Sequence, residues 1–157
     1  MKNKHSKYIS KEEALSKLQK YCAYQDRCHQ EVRTKLINLG IYGDDLEEII
    51  AELISDNFLN EERYARSYAR GKFRMRKWGK NRILKELKFR KISDYCIRKA
   101  MTEIEDEEYR QILEEIILKK QQFIKEKDPF KAKNKIAKYA INRGYESHLV
   151  WEMVKKL

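Results

Sequence analysis

The sequence predicts an all-α protein of three tandem three-helix repeats, each helix-turn-helix-like, that together form an elongated, curved molecule. The composition is the first reason: 39% of the 157 residues are charged, with only five Gly and one Pro, which is typical of long helices with solvated faces. The second reason is a succession of start and stop signals that divides the chain into about nine helices. The third is a set of apolar positions that recurs at spacings of 51 and then 53 residues.

Helix start signals follow one another along the whole chain. A side-chain oxygen at the N-cap accepts a hydrogen bond from the first turn, Gly permits the turn into a helix, and Pro fits the first helical position. In chain order the predicted starts are Ser10 with Glu13, Asp26 or Cys28, Gly43, Asn60, Gly79, Ser93, Asp106, Asp128 before Pro129, and Ser147. Gly40 and Gly144 are predicted to end the second and eighth helices, and the fourth helix should end near Lys77.

The apolar positions define both the repeat and the predicted core. The equivalent sets are Val32, Ile83 and Ile136; Leu36, Leu87 and Ala140; Ile41, Ile92 and Tyr145; Leu46, Ile97 and Val150; Ile50, Met101 and Val154; and Leu53, Ile104 and Leu157. Tyr64 and Tyr68 are also assigned to the core face of the fourth helix. The predicted domains are a flexible basic tail at 1–10 and three repeats at 11–57, 58–105 and 106–157.

Several functional classes are excluded by what the sequence lacks. No apolar run approaches the roughly 18 residues that a membrane span needs, and the basic start has no apolar signal core, so a cytoplasmic protein is predicted. Cys22, Cys28 and Cys96 lack CxxC spacing, and an ordinary helical surface or core is preferred to a metal site at Cys28 and His29. No nucleotide-binding, hydrolase or zinc-protease motif is present. We therefore predict no metal, no cofactor and no enzymatic activity.

Positive charge is concentrated in the middle of the chain. Residues 63–91 contain 13 Lys or Arg and one acid, Glu86, so their local charge of +12 exceeds the +11 of the whole chain. Seven of the 12 Arg fall there, although Lys predominates elsewhere. The flanking segments 40–62 and 92–118 are acidic. A solvated helix face is the alternative, but the single sign and the Arg preference favour an anionic partner.

The candidate binding residues lie on the predicted fourth and fifth helices. They are Arg63, Arg66, Arg70, Lys72, Arg74, Arg76, Lys77, Lys80, Arg82, Lys85 and Lys88. On the fourth helix five of these cations recur at steps of three and four residues, which places them on one stripe. The fifth helix presents mainly Lys and Arg outside its core face, which favours contact with a nucleic-acid backbone over base reading. Trp78 either stacks on a base or partner, or packs across its turn.

The segment FLNEERYARSYARGKFRMRKWGKNRILKELKFRKI, residues 58–92, resembles the central signature of RecX, the bacterial regulator of the RecA recombinase. The matching features are Asn60, Tyr64-Ala65, Tyr68, the basic run from Arg70 to Lys77, Gly79, Ile83 and Leu87. The first repeat is similar to the N-terminal module of that family, and the resemblance covers residues 11–157. Three departures stand out: Asn60 replaces a common Asp, Cys28 replaces a usual Ser, and Lys91 occupies the place of Gly40 and Gly144. The last of these predicts a locally different or strained helix end.

The resemblance implies three tandem three-helix modules and a protein that binds the RecA filament on single-stranded DNA. It also implies inhibition of ATP hydrolysis, strand exchange and filament growth, a role in DNA repair by homologous recombination and in the SOS response, and no catalysis by the protein itself. Arg66, Arg70 and Arg74 are the hypothesised filament-facing residues. Double-stranded DNA is a further candidate ligand, and a monomer is expected. The alternatives are a helix-turn-helix DNA-binding regulator that acts without RecA and a general RNA- or ribosome-associated helical protein.

Overall fold

A computed structural model describes residues 9–157, and that part of the chain forms nine α-helices and no strand. In chain order they are α1 (Lys11–Tyr24), α2 (His29–Asn38), α3 (Gly43–Ser55), α4 (Glu61–Arg76), α5 (Lys80–Phe89), α6 (Asp94–Met101), α7 (Asp106–Phe123), α8 (Pro129–Asn142) and α9 (Ser147–Val154). The all-α prediction is confirmed, and each predicted start lies within one residue of an observed one, except the alternative at Asp26, which lies three residues before α2. The predicted tail at 1–10 lies almost entirely outside the described residues.

The helix starts form for the local reasons that the sequence indicated. At α1 the Glu13 N–H donates to Ser10 Oγ at 3.0 Å and the Ser10 N–H donates to the Glu13 carboxylate at 2.9 Å, which completes a capping box. At α4 the Asn60 Oδ1 accepts from the Arg63 N–H at 2.9 Å. Of the two proposed starts for the second helix, Cys28 is the N-cap.

The second helix of each repeat ends in the same backbone conformation. Gly40, Lys91 and Gly144 have φ values of +85°, +63° and +107°, all in the left-handed region. Glycine adopts this region freely, whereas a side chain costs about 1 kcal/mol there. Of the two predicted alternatives, Lys91 therefore fits the strained helix end and not a locally different one.

The predicted core positions are buried except Tyr68, Met101 and Leu157, which are half-buried. The buried side chains form two clusters, one within α1–α3 together with Leu59 and one shared by α4–α9 together with Cys28. The extensive contacts between helices all lie inside three groups of consecutive helices, α1–α3, α4–α6 and α7–α9. These groups of three are called units 1, 2 and 3 below. The exact domain boundaries and the curvature of the row stay predictions.

Units 2 and 3 meet through a close backbone contact. The Gly79 N–H donates to the Arg143 carbonyl at 2.8 Å, and the Asn81 N–H donates to the Gly144 carbonyl at 2.9 Å. Between them the Lys80 N–H donates to the Tyr109 hydroxyl at 2.9 Å. Unit 3 thus satisfies the first N–H groups of α5, which Gly79 cannot cap with a side chain. We call this contact the unit 2–3 junction.

Aromatic rings reinforce the junction from the core side. Tyr109 stacks on Tyr145 with ring centroids 5.0 Å apart, and Phe73 of α4 lies 5.8 Å from Tyr109. The Tyr145 hydroxyl donates to the Lys77 carbonyl at 2.9 Å, and the Tyr109 hydroxyl donates to Glu146. Burial raises the pKa of both phenols, so they remain neutral donors at physiological pH.

The core assignment of α5 predicts a large cost for truncating Leu87. This side chain is 0% exposed, so Leu87→Ala should lower the free energy of unfolding by about 2–5 kcal/mol through lost burial and a residual cavity. Urea denaturation followed by circular dichroism measures the change. Leu118→Ala is the matched control, because Leu118 of α7 is 45% exposed and its truncation should have a small effect. Equal stability of the two variants would contradict the packing of α5.

Candidate nucleic-acid interface

The predicted basic surface lies on α4 and α5 of unit 2. Helix α4 buries Tyr64, Ala65, Ala69 and Phe73 on one side. Its cations consequently occupy the remaining faces, as a 3.6-residue period requires. The ion pairs of the structure divide these cations into two groups with different electrostatic roles.

Arg63 joins units 1 and 2. Its Nε lies 2.8 Å from the Asp26 carboxylate, and its guanidinium donates to the carbonyls of Asn57 and Phe58, each at 3.2 Å. All three partners lie before α4, in unit 1 or in the link to unit 2. The contacts of Arg63 therefore organise the connection between the units.

Arg66 and Arg70 converge on one carboxylate. Each places Nη1 at 2.7 Å from an oxygen of Glu103, which follows α6, and Arg66 Nε also lies 2.9 Å from Glu62. The hydrogen bonds from Arg66 and then Arg70 lower the pKa of Glu103. Two acids thus offset these two cations, and the first half of the α4 stripe is close to neutral.

The Glu103 cluster makes a pH-dependent contribution to stability. Because the folded-state pKa of Glu103 is lowered, its contribution is present above the unfolded-state pKa and is lost as the pH falls through the folded-state pKa. Glu103→Gln should therefore be less stable than the parent at pH 7, by about 1 kcal/mol, and the difference should vanish well below pH 4. Urea midpoints at the two pH values test this, with exposed Glu107→Gln as the control. A difference that persists in acid would contradict the assignment.

The remaining cations carry the charge that a partner could meet. Among residues 9–157, no acidic side chain lies within ion-pair distance of seven predicted site residues: Lys72, Arg74, Arg76, Lys77, Arg82, Lys85 and Lys88. We call these the seven open cations. Lys80 differs, since its Nζ lies 3.4 Å from Asp106 and 4.7 Å from the centroid of the Tyr109 ring. The accessible charge is centred on the end of α4 and on α5.

Trp78 packs across its turn, which is one of its two predicted roles. The indole is half-buried, and the Lys72 Nζ and the Arg82 guanidinium carbon lie 5.0 and 4.2 Å from its ring centroid. Its ring centroid lies 6.4 Å from that of Tyr68, in an edge-to-face arrangement. Tyr64 is buried as predicted, whereas Tyr68 is half-buried against the core. Cation–π contacts fix two of the open cations on the surface of unit 2.

Comparison with known proteins adds to this geometry. The family model "RecX, second three-helix domain" matches residues 60–101, which are unit 2 with its cations. The chain is 26% identical to the regulatory protein RecX of Prosthecochloris aestuarii over 144 residues, covering 92% of this chain and 93% of that protein. The crystal structure of RecX from Lactobacillus salivarius superposes with a TM-score of 0.85 at 24% identity, covering 94% of this chain and 96% of that one.

This chain belongs to the RecX family. It is also 30% identical over 131 residues to the regulatory protein RecX of Streptococcus uberis, which covers 83% of this chain. This RecX-family chain spans 50% of the length of the Streptococcus uberis protein and 62% of that of the Clostridium perfringens relative. These relatives are named regulatory proteins.

Sequence reasoning missed several residues that shape the surface of this RecX-family chain. Glu103 holds Arg66 and Arg70, Asp26 holds Arg63, and Arg143 reaches the Arg76 carbonyl. None of these partners has a local signal, because each lies 33 or more residues away from the residue that it contacts. The pair Arg90–Glu86 has the i, i+4 spacing of a helix and could have been found.

Proposed function

We propose that this RecX-family protein binds the RecA filament on single-stranded DNA and inhibits ATP hydrolysis, strand exchange and filament growth by RecA. The observation that carries the proposal is the set of seven open cations on the unit that the family model matches. The protein would act by binding, with no catalysis of its own. In the described part of the chain, no helix is long and apolar enough to cross a bilayer.

The charges suggest how such a contact would form. A row of three-helix units offers successive surfaces to a polymer, and the open cations of unit 2 would face DNA phosphates or acidic surface of RecA. Each phosphate neutralised on single-stranded DNA would add about 0.7 to the slope of log affinity against log salt concentration. Binding by unit 2 should therefore weaken steeply as salt rises.

A helix-turn-helix regulator that acts without RecA is less well supported. That mode presents the N-terminal residues of a recognition helix to base edges in the major groove. The N-terminus of α5 is instead covered by unit 3, since the N–H groups of Gly79, Lys80 and Asn81 are bonded to Arg143, Tyr109 and Gly144. Sequence-selective reading by this end of α5 would require the unit 2–3 junction to open.

ATP hydrolysis by RecA tests the proposal directly. The protein is titrated into RecA of the same organism on single-stranded DNA, and its binding to the same DNA without RecA is measured in parallel. Suppression of hydrolysis at concentrations well below those that cover bare DNA is the expected result. Unchanged hydrolysis at full DNA coverage would overturn the proposal and favour a nucleic-acid-binding module that acts without RecA.

A further inference from the structure

A basic and aromatic groove lies outside the predicted site, where the α4–α5 turn meets α7 and the end of α8. Its cavity volume is about 370 Å³. One acid, Glu115, faces four cations: Lys77, Lys119, Lys120 and Arg143. Of these four cations, only Lys77 lies within the basic segment 63–91. Unit 3 therefore contributes a second basic surface, which we call the unit 3 groove.

Two aromatic side chains supply the apolar part of the unit 3 groove. Phe123, the last residue of α7, is 68% exposed, and Tyr139 of α8 is 38% exposed. The Lys120 Nζ lies 4.5 Å from the centroid of the Tyr139 ring. Exposed rings beside cations are the arrangement with which proteins stack unpaired bases while neutralising the adjoining phosphates.

The unit 2–3 junction holds two sides of the groove in place. The Arg143 Nη2 donates to the Arg76 carbonyl at 2.6 Å, and the Tyr145 hydroxyl donates to the Lys77 carbonyl at 2.9 Å. Because these bonds already order Arg143 and Tyr145, less side-chain entropy of the protein would be lost when a ligand binds here.

We propose that the unit 3 groove binds single-stranded nucleic acid, with a base stacked on Phe123 and phosphates beside Lys119, Lys120 and Arg143. The assignment rests on the proposed function for its ligand class and adds a contact in a different unit. A single strand fits better than a duplex, because only unpaired bases can leave their stack and lie on a side-chain ring. Lys77 is one of the open cations and also lines the groove, which allows one strand to follow both surfaces.

The stacking contact is tested without RecA. Fluorescence anisotropy of a labelled thymidine oligonucleotide compares Phe123→Ala with Phe130→Ala, whose ring is also exposed, at 75%, but does not line the groove. Phe123→Ala should weaken binding about tenfold, and Phe130→Ala should bind as the parent does. Equal binding by the two variants would overturn the proposal. The proposal would also be overturned if Phe123→Ala lost as much affinity for poly-glutamate as for the oligonucleotide, since the groove would then fit an acidic protein segment.

The charge contact has a control of equal charge. The double variant Lys119→Gln, Lys120→Gln should lower the log–log salt slope for the oligonucleotide by about 1.4. The control Lys131→Gln, Lys138→Gln removes two exposed cations of α8 outside the groove and should leave the slope near the parent value. The same change in both variants would overturn the assignment, because net charge alone would then explain it.

The RecA assay separates this inference from the proposed function. If the parent protein does not inhibit RecA but Phe123→Ala still binds the oligonucleotide more weakly than the parent, the proposed function is overturned and the nucleic-acid contact in the groove is supported. Normal inhibition together with unimpaired oligonucleotide binding by Phe123→Ala would remove the groove alone.

Discussion

Gly79→Ala should disrupt the unit 2–3 junction and destabilise the protein by about 3 kcal/mol. A Cβ atom at this position would lie 2.2 Å from the Gly144 carbonyl carbon and 2.3 Å from the Tyr145 nitrogen. Both atoms belong to the backbone, so no side-chain rotation can relieve the overlap. The hydrogen bonds that cap α5 would lengthen together, because they cross the same contact.

Gly71→Ala is the control for this prediction. Gly71 lies inside α4, and nothing lies within 4 Å of the Cβ that alanine would add. This change should raise stability by about 0.5–1 kcal/mol, because alanine favours a helix interior. Urea denaturation measures both variants, and hydrogen exchange at the Lys80 and Asn81 amides reports the junction itself. Parent-like exchange at those amides in Gly79→Ala would show that the contact tolerates a side chain.

Neutralising three open cations should weaken binding to single-stranded DNA by roughly 10- to 100-fold at physiological salt. The variant is Arg74→Gln, Arg76→Gln, Lys85→Gln, all exposed positions. The slope of log affinity against log salt concentration should become shallower by about 2. In the proposed function, the protein concentration needed to suppress ATP hydrolysis by RecA should rise by the same factor as the loss of affinity. Arg66 and Arg70 are unsuitable for this test, because they hold Glu103 and their loss would perturb the packing of α4 on α6.

A control variant removes the same charge from unit 1. Lys17→Gln, Lys20→Gln, Lys35→Gln takes three exposed cations from α1 and α2 and should retain most of the affinity. A similar loss in both variants would mean that net charge, and not the surface of unit 2, determines binding. Circular dichroism of both variants should match that of the parent.

The local architecture was predictable because its causes lie within a few residues of each helix end or within one helical period. Ser10 and Asn60 accept the hydrogen bonds expected of N-caps, and the equivalent positions Val32, Ile83 and Ile136 are all buried. The positive φ of Lys91 was indicated by its alignment with two glycines. These features depend on backbone sterics and on the periodic spacing of apolar residues, and both can be inferred from a short stretch of sequence.

The partition of the basic surface was decided by tertiary structure. Nothing near Arg66 or Arg70 in the sequence indicates that Glu103 will offset them, since the pairing depends on how α6 packs on α4. The same holds for the unit 2–3 junction and for the unit 3 groove, where Lys77 and Arg143 line one cavity although they are 66 positions apart in the chain. The sequence by itself determined the helices, their core faces and the total charge, because these follow from neighbouring residues. Which cations remain open depended on contacts between distant segments, because an ion pair requires two groups to be close in space and not in the sequence.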